Sequence, residues 1–276
     1  MIEDPADPRL DDYRHLTDRS ARAAVEAPSA PQGIFVVEGA LALEQLLRSE
    51  HRVRSVLLTP SRARSMAELV DDLAPERVEH VLVAPREVLA GVTGYDVHRG
   101  VLASAVRPLP TDPATLLGGA RRVLVVEGVT DNENVGSLFR NAAAFGTDAV
   151  LLDGACTDPL YRRSIRVSSG WTLRLPHARV PDVGSALELC RAAGLRSVAL
   201  SPRPDAVDVG VAAAGGLLDD PVAVVVGAEG AGLGQDTLCS ADEVVRIPMA
   251  GEVDSLNVAT AFAVVAAMAA ARRLWT

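Results

Sequence analysis

The stretch RRVLVVEGVTDNENVGSLFRNAAAFGTDAVLLDG, residues 121–154, decides the fold of this chain. An apolar run is followed by a segment with helical spacing that ends at Gly146, and then by a second apolar run. Short continuous apolar runs that alternate with helices are typical of parallel strands covered by helices on both faces. The same alternation returns in residues 183–202 and 221–251 and ends in an apolar helix from Asn257. We therefore predict an α/β fold with a parallel sheet over residues 121–276.

A smaller α/β pattern precedes this sheet. Residues 33–106 contain four short apolar runs and two segments with helical spacing, which predicts a separate small domain. Residues 107–120 hold three prolines and two glycines and are predicted to be a linker. Residues 1–32 are polar with four prolines, which indicates an N-terminal arm or a short helix.

Composition limits the class of protein. Hydrophobic residues make up 49% of the 276 residues, and no uninterrupted apolar run reaches the length of a membrane span. The acidic start does not resemble a signal peptide, and three widely spaced cysteines indicate a reduced protein without a disulfide framework. The five histidines have no metal-ligand spacing. We expect a soluble cytoplasmic protein that needs no metal.

The charge is acidic overall but locally basic. All 27 basic residues are arginine, the net charge is −9 and the pI is about 5.1. Residues 161–179, however, contain five arginines and no acidic residue. Because salt screens distant charges beyond about 8–10 Å, such a segment can still bind phosphates. From composition alone, a phosphate-binding face and a solvated face are equally good interpretations.

Three unusual loops follow strands of the predicted sheet, at the edge where α/β proteins bind ligands. The first carries Asn134 and Arg140, and Asn134 is either a helix cap or a site residue. The second, VVVGAEGAGLG at 224–234, puts Glu229 between glycines that allow close backbone approach. The third, IPMAGEVDSLNVATA at 247–261, places Ser255, Asn257 and Thr260 among residues expected to be buried. These polar groups either cap the last helix or hold a ligand, whereas Thr260 is also compatible with a position in the core.

The second loop is not a dinucleotide fingerprint. Gly230, Gly232 and Gly234 give G-x-G-x-G instead of G-x-G-x-x-G, and the loop follows a late strand. In order and spacing, the segments NVGSLFRNAAAFG, VVVGAEGAGL and IPMAGEVDSLNVATA closely resemble the three signature motifs of the SpoU (TrmH) family. These proteins are RNA ribose 2′-O-methyltransferases of the SPOUT superfamily. Residues 33–106 resemble the RNA-binding substrate domain that many members carry.

The resemblance implies a deep trefoil knot in the C-terminal domain, a homodimer with the active site at its interface, and S-adenosyl-L-methionine as the cofactor. It also implies the residues that hold this cofactor. They are Leu200, Ser201, Gly227, Glu229, Gly230, Ile247, Met249, Gly251, Ser255 and Leu256.

The catalytic residues implied by the resemblance are Arg140, Asn134, Glu229, Ser255 and Asn257. In members of the family, the arginine that matches Arg140 is given the role of removing the proton of the ribose hydroxyl. Since an arginine stays protonated in proteins, we interpret Arg140 as an organiser that stabilises the developing alkoxide. Asn134 and Asn257 are expected to orient the ribose and Arg140, and Glu229 to fix that network.

RNA contacts are expected at Arg162, Arg163, Arg166, Ser168 and Arg99. The separate small domain favours ribosomal RNA, such as 23S rRNA, as the substrate, for housekeeping or for antibiotic resistance. Two alternatives stay open: a tRNA 2′-O-methyltransferase, and a non-catalytic RNA-binding ribosome-assembly factor on the same fold.

Overall fold

A computed structural model describes residues 1–18, 22, 26, 33–71 and 78–274. The strands are β1 Ile34–Glu38, β2 Val53–Leu58, β3 Val78–Val83, β4 Val101–Val106, β5 Arg122–Glu127, β6 Ala149–Leu152, β7 His177–Arg179, β8 Arg196–Leu200, β9 Val207–Asp208, β10 Val222–Gly227 and β11 Glu243–Arg246. The helices are α1 Ala40–Leu47, α2 Pro60–Ser65, α3 Ala67–Asp71, α4 Arg86–Thr93, α5 Pro113–Leu116, α6 Asn132–Ala144, α7 Arg162–Val167, α8 Val183–Ala192, α9 Val209–Ala214, α10 Gln235–Ser240 and α11 Val258–Leu274.

The chain forms two compact units. The first unit combines Met1–Leu109 with Asp158–Arg174, and the second combines Pro110–Thr157 with Leu175–Thr276. The sequence analysis placed the arginine-rich segment in the C-terminal domain, but only its residues 175–179 belong to the second unit, and its residues 161–174 pack within the first. Its apolar residues Leu160, Ile165 and Leu173 are buried there, which explains the assignment.

The first unit contains a four-stranded sheet in the order β1-β4-β2-β3, with β4 antiparallel to both of its neighbours and β2 parallel to β3. Helix α1 and the segment that contains α7 contribute to the cluster that buries Phe35 and Val37. A second cluster buries Leu10 and Tyr13 from the N-terminal segment. Within residues 1–18 the predicted arm is therefore part of this unit's core, and most of residues 19–32 lie outside the described part.

The second unit contains a seven-stranded sheet in the order β7-β6-β5-β10-β8-β11-β9. Every neighbouring pair in it is parallel, so the predicted parallel sheet is confirmed. Strand β10 lies between β5 and β8, where the strand order reverses direction. This is the position at which doubly wound sheets bind ligands, because neighbouring loops there diverge to opposite faces.

Helices cover both faces of this sheet. One cluster packs α6 and α11 against the strands and buries Phe139 and Phe262, and the other packs α8 and buries Leu187 and Cys190. The buried face of α11 includes Phe262, Val265 and Ala270. The carboxyl-terminal apolar stretch thus forms a helix whose larger residues secure it to the core.

The sequence analysis missed several short elements of this unit. Strands β7 and β9 have three and two residues, and helices α9 and α10 have six each, which is too short for a periodic pattern. The predicted linker contains α5, whose start is capped because Asp112 Oδ2 accepts a hydrogen bond of 2.8 Å from Thr115 N. None of the helices in the described ranges is both long enough and apolar enough to span a membrane.

Candidate active site

Loops at the carboxyl ends of β8, β10 and β11 enclose a cavity of about 710 Å³ in the second unit. Nine of the ten residues predicted to hold the cofactor line it: Leu200, Ser201, Gly227, Glu229, Gly230, Ile247, Met249, Ser255 and Leu256. The tenth, Gly251, does not line the cavity; it lies in an exposed turn with a φ of +67°. Gly251 therefore shapes the turn after β11, and its predicted contact with the cofactor stays a prediction.

Gly227 is fixed by close backbone packing. It ends β10, and a Cβ built on it would lie 2.6 Å from Leu233 N. The intervening loop closes on itself through the hydrogen bond of 2.9 Å from Gly232 N to Ala228 O. No residue larger than glycine fits at position 227 without moving the cavity wall.

Asp254 is a lining residue that the sequence analysis missed. Its carboxylate accepts a hydrogen bond of 3.1 Å from Ser255 Oγ. Together with Glu229 it places two carboxylates at the cavity, which favours a cationic ligand there. The adjacent acid and serine in VDSLN were the only sequence signal for it. The other missed lining residues are Pro202, Val226, Ala228, Gly232, Val245, Val258 and Ala261.

Helix α6 begins at Asn132, and its cap is Asp131. Asp131 Oδ1 accepts hydrogen bonds from Glu133 N at 2.8 Å and from Asn134 N at 2.9 Å. The interpretation of Asn134 as the cap is therefore wrong. Because Asp131 satisfies the helix terminus, the Asn134 side chain is available for another partner.

That partner is Asn257. Its Nδ2 donates to Asn134 Oδ1 and to Glu229 Oε1, both at 2.7 Å. Its Oδ1 accepts from Ala259 N at 3.0 Å and from Thr260 N at 3.2 Å, which caps helix α11. One side chain thus joins the three loops that the sequence analysis singled out, and it is both a helix cap and a site residue.

The hydrogen-bonding capacity of Asn257 is full. A primary amide has two N–H donors and two acceptor lone pairs, and all four have partners here. In this arrangement Asn257 positions Asn134 and Glu229, and its expected role in orienting the ribose and Arg140 stays a prediction. The backbone N–H groups of α11 require an oxygen, so the amide orientation is fixed, and Asn134 must present its own oxygen to Asn257. The Asn134 NH₂ is left to donate to a ligand.

Arg140 does not join this cluster within one chain. It lies six residues after Asn134, which is about 120° around the helix and about 9 Å along it. Its side chain is exposed, does not line the cavity, and has no hydrogen bond or ion pair to any described residue. The neighbouring Asn141 instead faces α11, where its Nδ2 donates to Ala259 O at 2.8 Å. Asn141 thus holds α6 against the start of α11, a contact with no sequence signal.

The polar residues around the start of α11 are not buried. Ser255, Asn257 and Thr260 are exposed, as is all of the segment 251–257. The expectation of burial failed because α11 turns Val258 and Ala259 toward the core and leaves Thr260 on the opposite face. Thr260 does not line the cavity, so only its backbone contributes here.

Two of the cysteines are unsuited to nucleophilic chemistry. Burial raises the pKa of the Cys156 thiol and of the Cys190 thiol to about 12. Both therefore stay protonated near neutral pH, and the thiolate is the reactive form.

Two protein-family profiles match this chain. The SpoU rRNA Methylase family profile matches residues 121–267, and the profile for RNA 2'-O ribose methyltransferase substrate binding matches residues 36–110. The chain belongs to the SpoU family. It is an RNA methyltransferase of that family, and the predicted resemblance is confirmed.

Relatives of this SpoU methylase cover nearly its whole length. An uncharacterised tRNA/rRNA methyltransferase of Mycobacterium bovis is 42% identical over 262 residues, which span 94% of this chain and 88% of that protein. The SpoU methyltransferase AviRb from Streptomyces viridochromogenes, solved in complex with AdoMet, is 25% identical with a TM-score of 0.77, over 98% of this chain and 100% of that one. A structure described as an RNA 2'-O ribose methyltransferase is 27% identical with a TM-score of 0.74, over 99% of each chain. The AdoMet complex of AviRb supports the predicted cofactor.

The predicted RNA-binding residues of this SpoU methylase lie in the first unit and differ in accessibility. Arg163, Arg166 and Arg99 are exposed. Arg162 is half-buried; its Nη1 donates to Tyr95 Oη at 2.9 Å and its Nη2 to Leu16 O at 3.2 Å. A structural role therefore accounts for Arg162.

Ser168 has no exposed surface, and its Oγ donates to Ile165 O at 2.9 Å. The predicted contact of Ser168 with RNA is wrong in this conformation, because the turn after α7 folds the hydroxyl inward.

Proposed function

We propose that this protein transfers the methyl group of S-adenosyl-L-methionine to the ribose 2′-hydroxyl of a nucleotide in structured RNA, with ribosomal RNA as the substrate. The observation that carries the proposal is the pair of hydrogen bonds by which Asn257 Nδ2 joins Asn134 and Glu229 beside the 710 Å³ cavity. We call this pair the Asn257 network. The 2′-oxygen as acceptor is supported by the substrate-binding profile and by the 27% identical 2'-O ribose methyltransferase. Ribosomal RNA is supported by the description of the family.

The cavity fits this cofactor. Its volume lies within the range of about 300–1,000 Å³ that is usual for small-molecule sites. Gly227 and Gly230 let the backbone approach a ligand, and the apolar side chains of Leu200, Ile247 and Leu256 would enclose an adenine ring. Glu229 and Asp254 complement the positive charge of a sulfonium and an ammonium group.

The cofactor supplies a methyl group activated by its positively charged sulfur. The protein must hold the ribose hydroxyl in line with that methyl group, and such positioning accounts for much of the rate of a displacement. The Asn134 NH₂, fixed by Asn257, is placed to donate to an oxygen of the nucleotide. As the ribose oxygen forms its bond to the methyl carbon, the carbon–sulfur bond breaks and the hydroxyl proton passes to solvent water, while the guanidinium of Arg140 stabilises the negative charge that develops on the oxygen. Ser255, an exposed hydroxyl at the cavity, completes the predicted set.

A homodimer completes this site. Arg140 is exposed and lies outside the cavity of its own chain, so a second copy is the natural source of the arginine at each cavity. The solvent-facing side of α11 is apolar and only partly covered, at residues such as Ala263, Val264 and Ala267. An apolar helix face of this kind supports association with another copy. The trefoil knot and the cytoplasmic location stay predictions.

The first experiment measures transfer of labelled methyl from S-adenosyl-L-methionine to total RNA from a strain that lacks this gene. The modified nucleotide is then mapped by the resistance of 2′-O-methylated ribose to alkaline cleavage. A single protected position in ribosomal RNA supports the proposal, and a protected position in tRNA would move the substrate to that class. Methylation on a base, with no protected linkage, would refute the ribose assignment.

A mixed dimer tests the origin of the arginine. One copy carries Arg140→Ala and the other Asn257→Asp, each with its own tag, so that the heterodimer can be purified. If Arg140 serves the cavity of the other copy, one site combines both defects and the other is intact, so about half of the wild-type activity returns. If Arg140 serves its own cavity, each site has one defect and the heterodimer stays as inactive as the two parents.

A further inference from the structure

A second cavity, of about 500 Å³, lies within the first unit. Its wall carries Arg62, Arg86 and Arg99, together with His98 and the hydroxyls of Thr59 and Ser61. It falls within the residues matched by the substrate-binding profile, which does not assign a role to any of them. A concave surface with three arginines and three hydroxyl-bearing residues (Thr59, Ser61 and Ser65) is unusual in a chain whose net charge is −9.

The fold holds the walls of this cavity in place. Strand β2 ends just before Thr59, and the neighbouring strand β4 begins just after Gly100. Thr59 N donates to Gly100 O at 3.0 Å, and a Cβ on Gly100, whose φ is +60°, would lie 2.6 Å from Thr59 Oγ1. The absence of a side chain at position 100 therefore lets the turn before β4 press against the start of α2. The Thr59 and Ser61 hydroxyl oxygens lie 3.2 Å apart on that wall.

Two of the three arginines carry uncompensated charge. Arg62 Nε donates to Arg99 O at 3.0 Å, which orients its guanidinium and leaves both terminal nitrogens without a partner among the described residues. The Arg99 guanidinium likewise has no hydrogen bond or ion pair in the described ranges. Its stem crosses Gly39, where a Cβ would lie 3.4 Å from Arg99 Cδ. Both side chains are thus guided by the backbone yet free to bind an anion.

Arg86 is neutralised and serves as part of the wall. Its Nε and Nη2 each donate to a carboxylate oxygen of Asp96 at 2.7 Å, and this pair lowers the pKa of Asp96. His98 Nδ1 lies 3.6 Å from the same carboxylate, and Glu87 adds a further negative charge near Arg86. The attractive charge for a ligand therefore comes from Arg62 and Arg99.

We propose that this cavity binds one phosphodiester group of the RNA backbone, held jointly by Arg62 and Arg99, with the hydrogen-bonded pair of the Thr59 and Ser61 hydroxyls as one further donor. This inference rests on the proposed function in that the ligand is RNA. Guanidinium groups bind phosphate oxygens with several parallel donors, and hydroxyls are common partners of the RNA backbone. The cavity volume leaves room for parts of the two flanking riboses. Such a contact fixes the position of the strand and reads no base sequence.

The salt dependence of RNA binding tests the proposal in the full-length protein. The probes are a fluorescent RNA hairpin and inorganic phosphate, and the variants are Arg62→Gln, Arg99→Gln and the double variant. Arg64→Gln is the matched control, since Arg64 lies in the same helix, is exposed and does not line the cavity. Loss of one phosphate contact lowers the slope of log K against log salt by about 1. Thermal melting checks that each variant is folded.

Because both arginines hold the same phosphate, we expect a slope lower by about 1 in each single variant and also in the double variant. Affinity at low salt should fall roughly tenfold in each single variant, with the double variant clearly less than additive. The Arg64→Gln protein should keep the wild-type slope. A double variant with the wild-type slope, a drop of about 2, or an equal drop in Arg64→Gln would overturn the proposal. The proposal would also be overturned if inorganic phosphate binding depended on Arg62 while the slope of log K against log salt for RNA stayed the same in every variant. The cavity would then be a site for free anions.

Failure of this inference is distinguishable from failure of the proposed function. S-adenosyl-L-methionine binding by calorimetry and methyl transfer to total RNA are measured on the same proteins. A wild type that methylates RNA, with variants of unchanged slope, refutes the cavity alone. A wild type that shows the expected slopes and transfers no methyl refutes the proposed function and retains the cavity.

Discussion

Replacing Asn257 by aspartate or serine separates the two roles of this side chain. Aspartate and serine are both good helix caps, so either keeps an oxygen for Ala259 N and Thr260 N. Neither supplies the two N–H donors that now hold Asn134 and Glu229, each at 2.7 Å. The variants should therefore preserve helix α11 and lose the Asn257 network, that is, the hydrogen bonds to Asn134 and Glu229.

The cost in stability is expected to be small. Aspartate brings a second carboxylate next to Glu229. Two unit charges about 4 Å apart repel by about 1 kcal/mol in water and about 4 kcal/mol near a protein surface, and because both residues are exposed the value in water is the closer one. The two lost hydrogen bonds cost about 1 kcal/mol each or less, because the groups are exposed. A negative charge at the start of α11 returns about 0.5 kcal/mol. A loss of about 1–3 kcal/mol leaves a domain of ordinary stability folded.

The cost in catalysis is expected to be large. Asn134 would no longer be held, and removal of one organised donor from an active site lowers kcat by about 10²–10³. We expect this fall in both Asn257→Asp and Asn257→Ser, measured with RNA and S-adenosyl-L-methionine saturating, beside urea unfolding of the same proteins. Thr260→Ala is the control, because the Thr260 side chain is exposed and lies outside the cavity. Only the backbone N–H of Thr260 binds Asn257, and alanine keeps it. An Asn257→Ser protein with wild-type kcat would show that catalysis does not depend on the Asn257 network.

Arg140→Ala should abolish methyl transfer. The melting temperature should stay within about 2 °C of the wild type, since the side chain is exposed and unpaired among the described residues. Residual turnover above a few per cent would count against the role of Arg140 in catalysis. Gly227→Ala should lose cofactor binding by calorimetry, because its Cβ would lie 2.6 Å from Leu233 N, whereas Gly210→Ala, with open space around it, should bind normally. Burial raises the pKa of Cys156 from 9.0 to about 12, so the unfolded chain releases this proton first. The free energy of unfolding should therefore be level below about pH 9 and fall from pH 9 to 12. Cys156→Ala should make that fall shallower in urea titrations, and the similarly raised pKa of Cys190 accounts for part of what remains.

The sheet of the second unit could be predicted because its strands are continuous apolar runs. Val123 to Val126 and Val222 to Val226 are fully buried, and burial on both faces leaves no alternation to confuse with another element. The start of α6 could not be predicted to the residue. The sequence TDNEN offers four residues that can cap a helix, and only the packed structure shows that Asp131 does so.

The Asn257 network could not be predicted from local sequence patterns. Asn257 lies 123 residues from Asn134 and 28 from Glu229, so no spacing rule connects them. The arginine-rich segment shows the opposite failure. Its composition left a phosphate-binding face and a solvated face equally open, and the resemblance favoured RNA contacts there, yet Arg162 binds Tyr95 and Ser168 is fully buried. Composition reports which charges are present, whereas packing decides which of them reach solvent.

The identity of residue 257 follows from the two tasks taken together. Serine, threonine, aspartate and asparagine are the residues that cap helices well. Of these four, only asparagine adds two N–H donors to an oxygen that can accept two hydrogen bonds. The helix termini require the oxygen, while Asn134 and Glu229 require the donors. Glutamine has the same groups on a longer stem, which moves the oxygen away from the cap. A helix that must be capped for stability is thus started by the one residue that can also organise the site, and no single substitution at 257 should keep both properties.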